Sequence, residues 1–316
     1  MSQSVLKLSP SQINKMQQHY KPYLKDKTPA GAKFAAKLPS CSITAYQSGK
    51  VLFQGAQHDQ EASKWGSPSE NTNKKKGKPS PTSSSYAPPA ALYLTSHAGS
   101  DEAGTGDYFG PITVACAYVR EDQIQALKQA GVRDSKDLKD PQIQQIARRI
   151  VEMEIPYSLV ILHNEKYNVL QKKGWTQGKM KTMLHHNAYN KLAKKLDHEP
   201  EGWIIDQFAQ PEVYKKHLKT ENASLQSNAY FLMKAESYSI AVAVGSIIAR
   251  SAFVKHMNKL SQQAGITLPK GASQRVDEAA ATLIRIKGQE ELDKYAKVHF
   301  ANTNKALKKF QQMKKD

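Results

Sequence analysis

Cysteine is almost missing from this 316-residue chain: Cys41 and Cys116 are the only two. Two are too few for a disulfide framework and lack the spacing of a zinc site, so both are expected to be reduced core residues. Long apolar runs are missing as well. No unbroken apolar stretch of about 18 residues occurs, and the opening MSQSVLKLSPSQINK has no apolar core of the signal-peptide kind. Neither a membrane span nor secretion is therefore expected, and a cytoplasmic location is. Acids are scarce beside bases, 28 against 46, which leaves a formal net charge of +18. A field that positive favours encounter with polyanions, nucleic acid first among them. The motif GK[ST] is also absent, and Gly104, Gly106 and Gly110 are spaced GxGxxxG, which argues against a dinucleotide or NTP loop.

What the chain does have is enough apolar sequence, 39%, for one large or two medium domains. Its charge is uneven. Residues 1–90 carry 13 Lys and 4 acids, a net +9, while the remaining 226 residues carry 33 Lys plus Arg and 24 acids, again +9. Early in the basic part, Ser9-Pro10-Ser11-Gln12 has the form of a capping box with Pro in the first turn. The helix it opens has Ile13, Met16, Tyr20 and Leu24 on one face and is ended near Pro22. From Ala32 the period changes to two: Phe34, Ala36 and Leu38 alternate with Lys33 and Lys37, and 43–47 and 51–54 flank a Ser48-Gly49-Lys50 turn. A second helix is expected over 57–65. These elements predict a small α+β domain over residues 1–66 whose sheet presents Lys33, Lys37, Tyr46 and Lys50, a surface suited to a phosphate backbone or simply to water. Residues 67–90, rich in Ser, Pro and Lys, cannot bury enough apolar area to fold. They are expected to be a flexible linker, with Lys74-Lys75-Lys76 free to brush phosphates.

Residues 91–316 predict an α/β domain. A strand is expected near 93–101 and a doubly covered strand over 112–119, joined as a hairpin. Helices over 121–130 and 140–153, a strand over 157–162, a short helix from Asn164 and a longer one reaching Leu196 follow. The basic stretch before that longer helix offers contacts to backbone phosphates. His185 and His186 are adjacent on it, cannot both face one metal, and are expected at the surface or on a substrate side. A short strand over 202–206 ends in Asp206, the position at which open α/β sheets place their chemistry; a helix over 211–218 comes next. Glu236 opens an almost wholly apolar helix expected over 237–255, with small Ala and Gly permitting close packing; an acid there also has a plainer use at the helix dipole.

The densest signal is Gly99-Ser100-Asp101-Glu102-Ala103-Gly104-Thr105-Gly106. Adjacent acids at a strand end point to opposite sides of the pleat, so only a site reaching round that end uses both. A divalent cation, with further acids arriving from distant segments, is one such user. Asp101, Glu102, Asp206 and Glu236 fit a mixed sheet whose strand ends and one helix start share an edge, where a metal would offset their repulsion. On spacing alone their convergence stays open, as does the reading of Asp101-Glu102 as a solvated turn.

The wording GSDEAGTGDYFGP, then RDSKDL, WIIDQFAQP and KAESYSIAVAVGSIIARSAF, in that order, closely resembles the type 3 ribonucleases H (ribonuclease HIII) of bacteria over about residues 92–310. ITAYQSGKVLFQG resembles the N-terminal domain of that family, whose fold is similar to the TATA-box-binding protein. The resemblance implies a ribonuclease H-like mixed sheet flanked by helices. It also implies endonucleolytic hydrolysis of the RNA strand of RNA/DNA hybrids to 5′-phosphate and 3′-hydroxyl ends. It maps four metal-binding acids onto Asp101, Glu102, Asp206 and Glu236, serving Mg²⁺ or Mn²⁺, with two ions in the substrate complex and Asp101 bridging them. Glu236 as the fourth acid and Thr105 between its glycines favour type 3 over type 2. Gly104, Thr105 and Gly106 are expected to approach the strand and its 2′-hydroxyls, and Ser135 and Lys136 to supply hydroxyl and phosphate contacts. Tyr46 and Lys50 would add affinity for the hybrid without reading sequence. Segment 176–181 departs from the family's wording, so no catalytic role is carried onto it. No membrane and no obligate protein partner is implied, and a monomer is expected.

Overall fold

The computed structural model describes residues 3–66, apart from 27 and 30, and residues 86–313. The chain divides into two compact units between residues 80 and 81. The first is an antiparallel sheet of β1 (Gln3–Lys7), β2 (Ala32–Lys37), β3 (Ser42–Tyr46) and β4 (Lys50–Gln54), in the order β1-β4-β3-β2. Helices α1 (Pro10–His19) and α2 (His58–Ser63) complete it. The capping box forms as its sequence predicts, with the Ser9 amide donating to Gln12 Oε1 at 3.0 Å. Alternation turns Leu6, Phe34, Ile43, Val51 and Phe53 inward to pack with Ile13, Met16 and Tyr20, while Lys33, Lys37 and Lys50 stay exposed. Strand β1 was not expected: SVLK gains strand character only from pairing with β4, from Gln3–Gln54 through Lys7–Lys50.

Of the linker expected over 67–90, only the end lies among the described residues. Residues 67–85, with the Lys74-Lys75-Lys76 run, lie outside the described residues. Residues 86–90 belong to the larger unit: the Phe231 amide donates to the Tyr86 carbonyl at 2.8 Å, the two rings meet edge-on with centroids 6.0 Å apart, and Ala90–Tyr93 form a 3₁₀ turn. The strand expected near 93–101 accordingly starts later.

That strand is β5 (His97–Ala103), and with β6 (Ile112–Val119), β7 (Tyr157–Leu162), β8 (Trp203–Asp206) and β9 (Ala229–Leu232) it makes a mixed sheet in the order β7-β6-β5-β8-β9. β5, β6 and β7 are antiparallel neighbours, whereas β8 runs parallel to β5 and β9 parallel to β8. Helices α3 (Ile124–Gln129), α4 (Asp140–Glu152) and α8 (Ile240–Ala264) cover one face; α5 (Asn164–Lys172), α6 (Gln177–Ala193) and α7 (Pro211–Lys219) pack on the other. Every residue of β6 is buried: Ala115, Ala117 and Val119 face α8, and Ile112, Val114, Cys116 and Tyr118 face the α6 side. Helices α9 (Gln274–Lys287), α10 (Leu292–Tyr295) and α11 (Ala301–Met313) enclose a further core with Tyr108, Phe109, Phe253 and Met257.

Helix α8 sets how closely the layers approach. A Cβ on Gly99 of β5 would stand 2.3 Å from the Val242 nitrogen, and one on Gly245 of α8 would stand 3.0 Å from the Ala115 carbonyl. Two facing glycines thus let the helix lie directly on the strand that carries Asp101. By length and composition α8 could cross a bilayer, yet 83% of its most apolar window is buried within the fold, as befits a helix packed on all sides. It begins at Ile240, where Ser239 Oγ accepts from the Val242 amide at 3.1 Å, later than the sequence pattern indicated.

Candidate active site

Strand β5 has poor intrinsic strand character, with Gly, Asp and Glu in seven residues. Pairing with β6 and β8 on its two edges imposes the conformation, and the register then does the positioning. Ser100 pairs with Ile205, so one step further along these parallel strands Asp101 and Asp206 become neighbours. Beyond β9 the chain reverses at Lys234, which holds a left-handed φ of 56°, and enters a 3₁₀ turn, Ala235–Ser237, that carries Glu236. Asp206 Oδ1 accepts from the Ala235 amide at 2.8 Å. One acid therefore fixes the turn that presents another. Asp101, Asp206 and Glu236 each contribute a carboxylate oxygen, all within 4.8 Å of one another. Glu236 stands outside the helix, so the helix-dipole reading does not apply.

Carboxylates this close repel. Burial first, then the charges of Glu102 and Asp206, push the Asp101 carboxyl well above its usual range; burial and then Glu236 push that of Asp206 up to about 7. Lys136 Nζ lies 2.5 Å from Glu236 Oε1 and offsets part of the charge. Glu236 Oε2 is buried and has no hydrogen-bond partner among the described residues. A buried oxygen without a donor, beside two acids driven toward protonation, is a ligand set suited to a hard divalent cation.

Glu102 faces the other side of the pleat, as alternation requires. Its Oε1 accepts from Lys181 Nζ at 2.8 Å and its Oε2 from His185 Nε2 at 2.9 Å. Burial alone would raise the Glu102 carboxyl, but the His185 and Lys181 contacts outweigh it and hold it below the usual value. Ser100 Oγ accepts from Trp203 Nε1 at 3.0 Å and lies 2.8 Å from His185 Nδ1. A carboxylate only accepts and an indole only donates, so with the His185 proton on Nε2 its Nδ1 accepts a hydrogen bond from the Ser100 hydroxyl.

His185 is thus wholly buried, not at the surface; the helical period turns it inward and leaves His186 half-buried. Lys181 and His185, four residues apart on α6, reach the two oxygens of one carboxylate. That spacing, which begins in the segment onto which no catalytic role was carried, was the signal available in the sequence.

Ser135 also differs from expectation. It is buried, with Oγ 2.8 Å from Ser246 Oγ, and Ser246 in turn bonds Asp101. The 3₁₀ turn Ser135–Asp137 directs the serine inward against α8 and leaves Lys136 largely exposed beside Glu236. Gly104 has φ +88° and sits against the Pro111 carbonyl, Thr105 is half-buried, and Gly106 is exposed with nothing within 4 Å of where a Cβ would be. Tyr46, half-buried, and Lys50, exposed, lie on the outward side of the N-terminal sheet.

Residues 98–303 match the family model for ribonuclease HII, and residues 3–78 match a domain of unknown function (DUF3378). The ribonuclease HIII of Oceanobacillus iheyensis is 56% identical over 309 residues, covering 98% of this chain and 99% of that one. The ribonuclease HIII of Bacillus subtilis is 53% identical over 307 residues, 97% of each chain. The crystal structure of Bst-RNase HIII in complex with Mn²⁺ superposes with a TM-score of 0.69 at 44% identity, covering 98% of this chain and 100% of that one. Aquifex aeolicus RNase H3, at 21% identity and a TM-score of 0.54 over 93% and 99% of the two chains, shares the fold. In sequence over nearly its whole length, and in fold, the chain belongs to the ribonuclease HIII family, the ribonucleases H that cleave RNA in RNA/DNA hybrids.

Proposed function

We propose that this chain cleaves the RNA strand of RNA/DNA hybrids endonucleolytically to 5′-phosphate and 3′-hydroxyl ends, with Asp101, Glu102, Asp206 and Glu236 holding two Mg²⁺ or Mn²⁺ ions. The observation that carries this reading is the cluster of carboxylate oxygens from Asp101, Asp206 and Glu236 within 4.8 Å, one acid of which keeps a buried oxygen that meets no donor among the described residues. When bound, such ions supply activation of the attacking water and stabilisation of the leaving 3′ oxygen.

The chain's own groups do the positioning. Asp101, with Asp206 on the neighbouring strand and Glu236 on the turn, would hold the ions, and Glu102, following it in sequence, would join them. Asp206 also fixes the turn of Glu236, while Lys181 and His185 keep Glu102 ionised. Lys136, exposed beside Glu236, is placed to meet a phosphate oxygen of the scissile strand. Gly106 leaves its backbone open to close approach, and contact there with a 2′-hydroxyl distinguishes RNA from DNA. Tyr46 and Lys50 add affinity independent of sequence. The Mn²⁺ complex of a relative supports the choice of ion. The chain acts as a monomer, in the cytoplasm.

The test is cleavage of a labelled hybrid beside a DNA duplex with a single embedded ribonucleotide, in Mg²⁺ and in Mn²⁺. Cutting of the hybrid alone is expected; incision at the single ribonucleotide would assign type 2 specificity instead. Asp101→Asn and Asp206→Asn should abolish cleavage while hybrid binding persists. Wild-type rates in both variants would remove the site and favour a nucleic-acid-binding protein without enzymatic activity, the reading that charge alone supports.

A further inference from the structure

Lys297, between α10 and α11, is fully buried, and its Nζ donates to two backbone carbonyls, Asp107 at 2.7 Å and Gly110 at 2.6 Å. Burial of an ammonium is costly, whereas burial of an apolar side chain of the same volume is favourable. Here it lowers the lysine to about 7, so the position asks for an explanation. Its partners supply one, because both lie in the loop that leaves β5 just after Asp101 and Glu102. The backbone nearby follows the same line: the Lys297 amide donates to the Tyr108 carbonyl at 2.9 Å and the Gly110 amide to that of Tyr295 at 3.0 Å. From another direction Gln177, the first residue of α6, donates from Nε2 to the Thr105 carbonyl at 3.0 Å. The loop is thus gripped by its carbonyls from two elements remote in sequence, and the residue left open between the grips is Gly106.

We infer that Lys297 and Gln177 are positioning residues that fix the 104–111 loop for contact with the RNA strand and thereby set the preference for hybrid over DNA duplex. The inference rests on the reading above that this loop meets the RNA. The Thr105 carbonyl fixed by Gln177 cannot rotate, so the Gly106 amide of the same peptide keeps one direction toward the strand; Lys297, holding the Asp107 and Gly110 carbonyls, anchors the loop just beyond it, where the Tyr108 amide is bonded to the Gly271 carbonyl. A loop held by fewer bonds orders only on binding and gives up part of its contact energy to that ordering. The loss falls on the ribose contact and spares contacts made elsewhere to the phosphate backbone.

The test compares Lys297→Met, Gln177→Met and Gly106→Ala in the full chain. It measures kcat and KM on an RNA/DNA hybrid and the inhibition constant of a DNA duplex of the same sequence, with melting curves for each variant. For both positioning variants KM should rise about tenfold, with kcat within about threefold and the DNA inhibition constant within about twofold of wild type. A fall in kcat at unchanged KM, or an equal rise of KM and of the DNA constant, overturns the inference. Gly106→Ala adds a methyl where space is open, so it reports on the loop contact alone. A wild-type KM for it means that the underlying reading has failed. A raised KM for it beside wild-type values for the other two means that the positioning role has failed. Should Lys297→Met lose its cooperative melt, Gln177→Met, at a half-buried helix start, decides by the same criteria.

Discussion

His185 Nε2 stands 2.9 Å from Glu102 Oε2, and Lys181, one helical turn earlier, stands 2.8 Å from the other oxygen. A buried carboxylate is thereby held charged by two donors from one helix face. His185→Ala leaves that charged acceptor short of a partner. It is expected to cost about 2 kcal/mol of stability and to lower kcat on a hybrid by about 10- to 100-fold at nearly unchanged KM. Denaturant unfolding and steady-state kinetics check both numbers. A variant with wild-type kcat would show that the orientation of Glu102 does not matter to the reaction.

The crowding of Asp101, Asp206 and Glu236 predicts a pH signature in the metal-free protein. The folded pKa of Asp206, about 7, lies above its ordinary value of 3.8. Between those values the folded state keeps a proton that the unfolded state has lost, so this group's contribution to stability falls as pH rises. Asp206→Asn retains an oxygen for the Ala235 amide and removes the charge. In EDTA its gain in Tm over wild type is therefore expected to be larger near pH 7.5 than near pH 5. An equal gain at both values would mean that the acids do not repel one another as described.

Asp101, Asp206 and Glu236, which the fold brings together, stood out in the sequence because the motifs around them are dense, and β6, β8 and the apolar helix were legible because buried strands and helices read as apolar runs. What escaped were partnerships between distant segments. β1 and β9 are short and are held by their neighbours. Ser135 reads as an available hydroxyl until α8 is laid over it, and His185 as a surface residue until the sheet is placed beneath α6. Lys297, one lysine among many in a basic chain, carries no local mark at all; only the carbonyls of residues 107 and 110 distinguish it. Tyr86, in the stretch read as linker, likewise packs on a distant partner, Phe231.

Gly99→Ala tests the contact between α8 and β5. The added methyl would stand 2.3 Å from backbone of the helix, which neither element can relieve by a rotamer change. A loss of about 3 kcal/mol in unfolding free energy is expected, read from urea melts. A loss below about 1 kcal/mol would mean that the layers yield without cost.

The N-terminal unit predicts a separable contribution. Removing residues 1–80, a compact unit in its own right, should raise KM on the hybrid about tenfold while kcat changes less than about twofold, because remote phosphate contacts bind ground state and transition state alike. The slope of log KM against log salt should flatten by the number of phosphate contacts removed. A KM equal to that of the full chain at every salt concentration would refute the assignment of Tyr46 and Lys50 to the hybrid.

The route of the chain through the acid cluster bears on when a nuclease comes into being. Asp101 leaves the ribosome early, but its neighbour in the sheet is Asp206, and the turn that Asp206 holds brings Glu236. The grip on the loop beyond Asp101 waits for Lys297, close to the end of the described chain. A stalled or clipped product that stops before Glu236 lacks the third acid, and one that stops before Lys297 lacks the lysine that holds the loop. Synthesis order thus sets when the cluster closes: two of its carboxylates are in hand before the third.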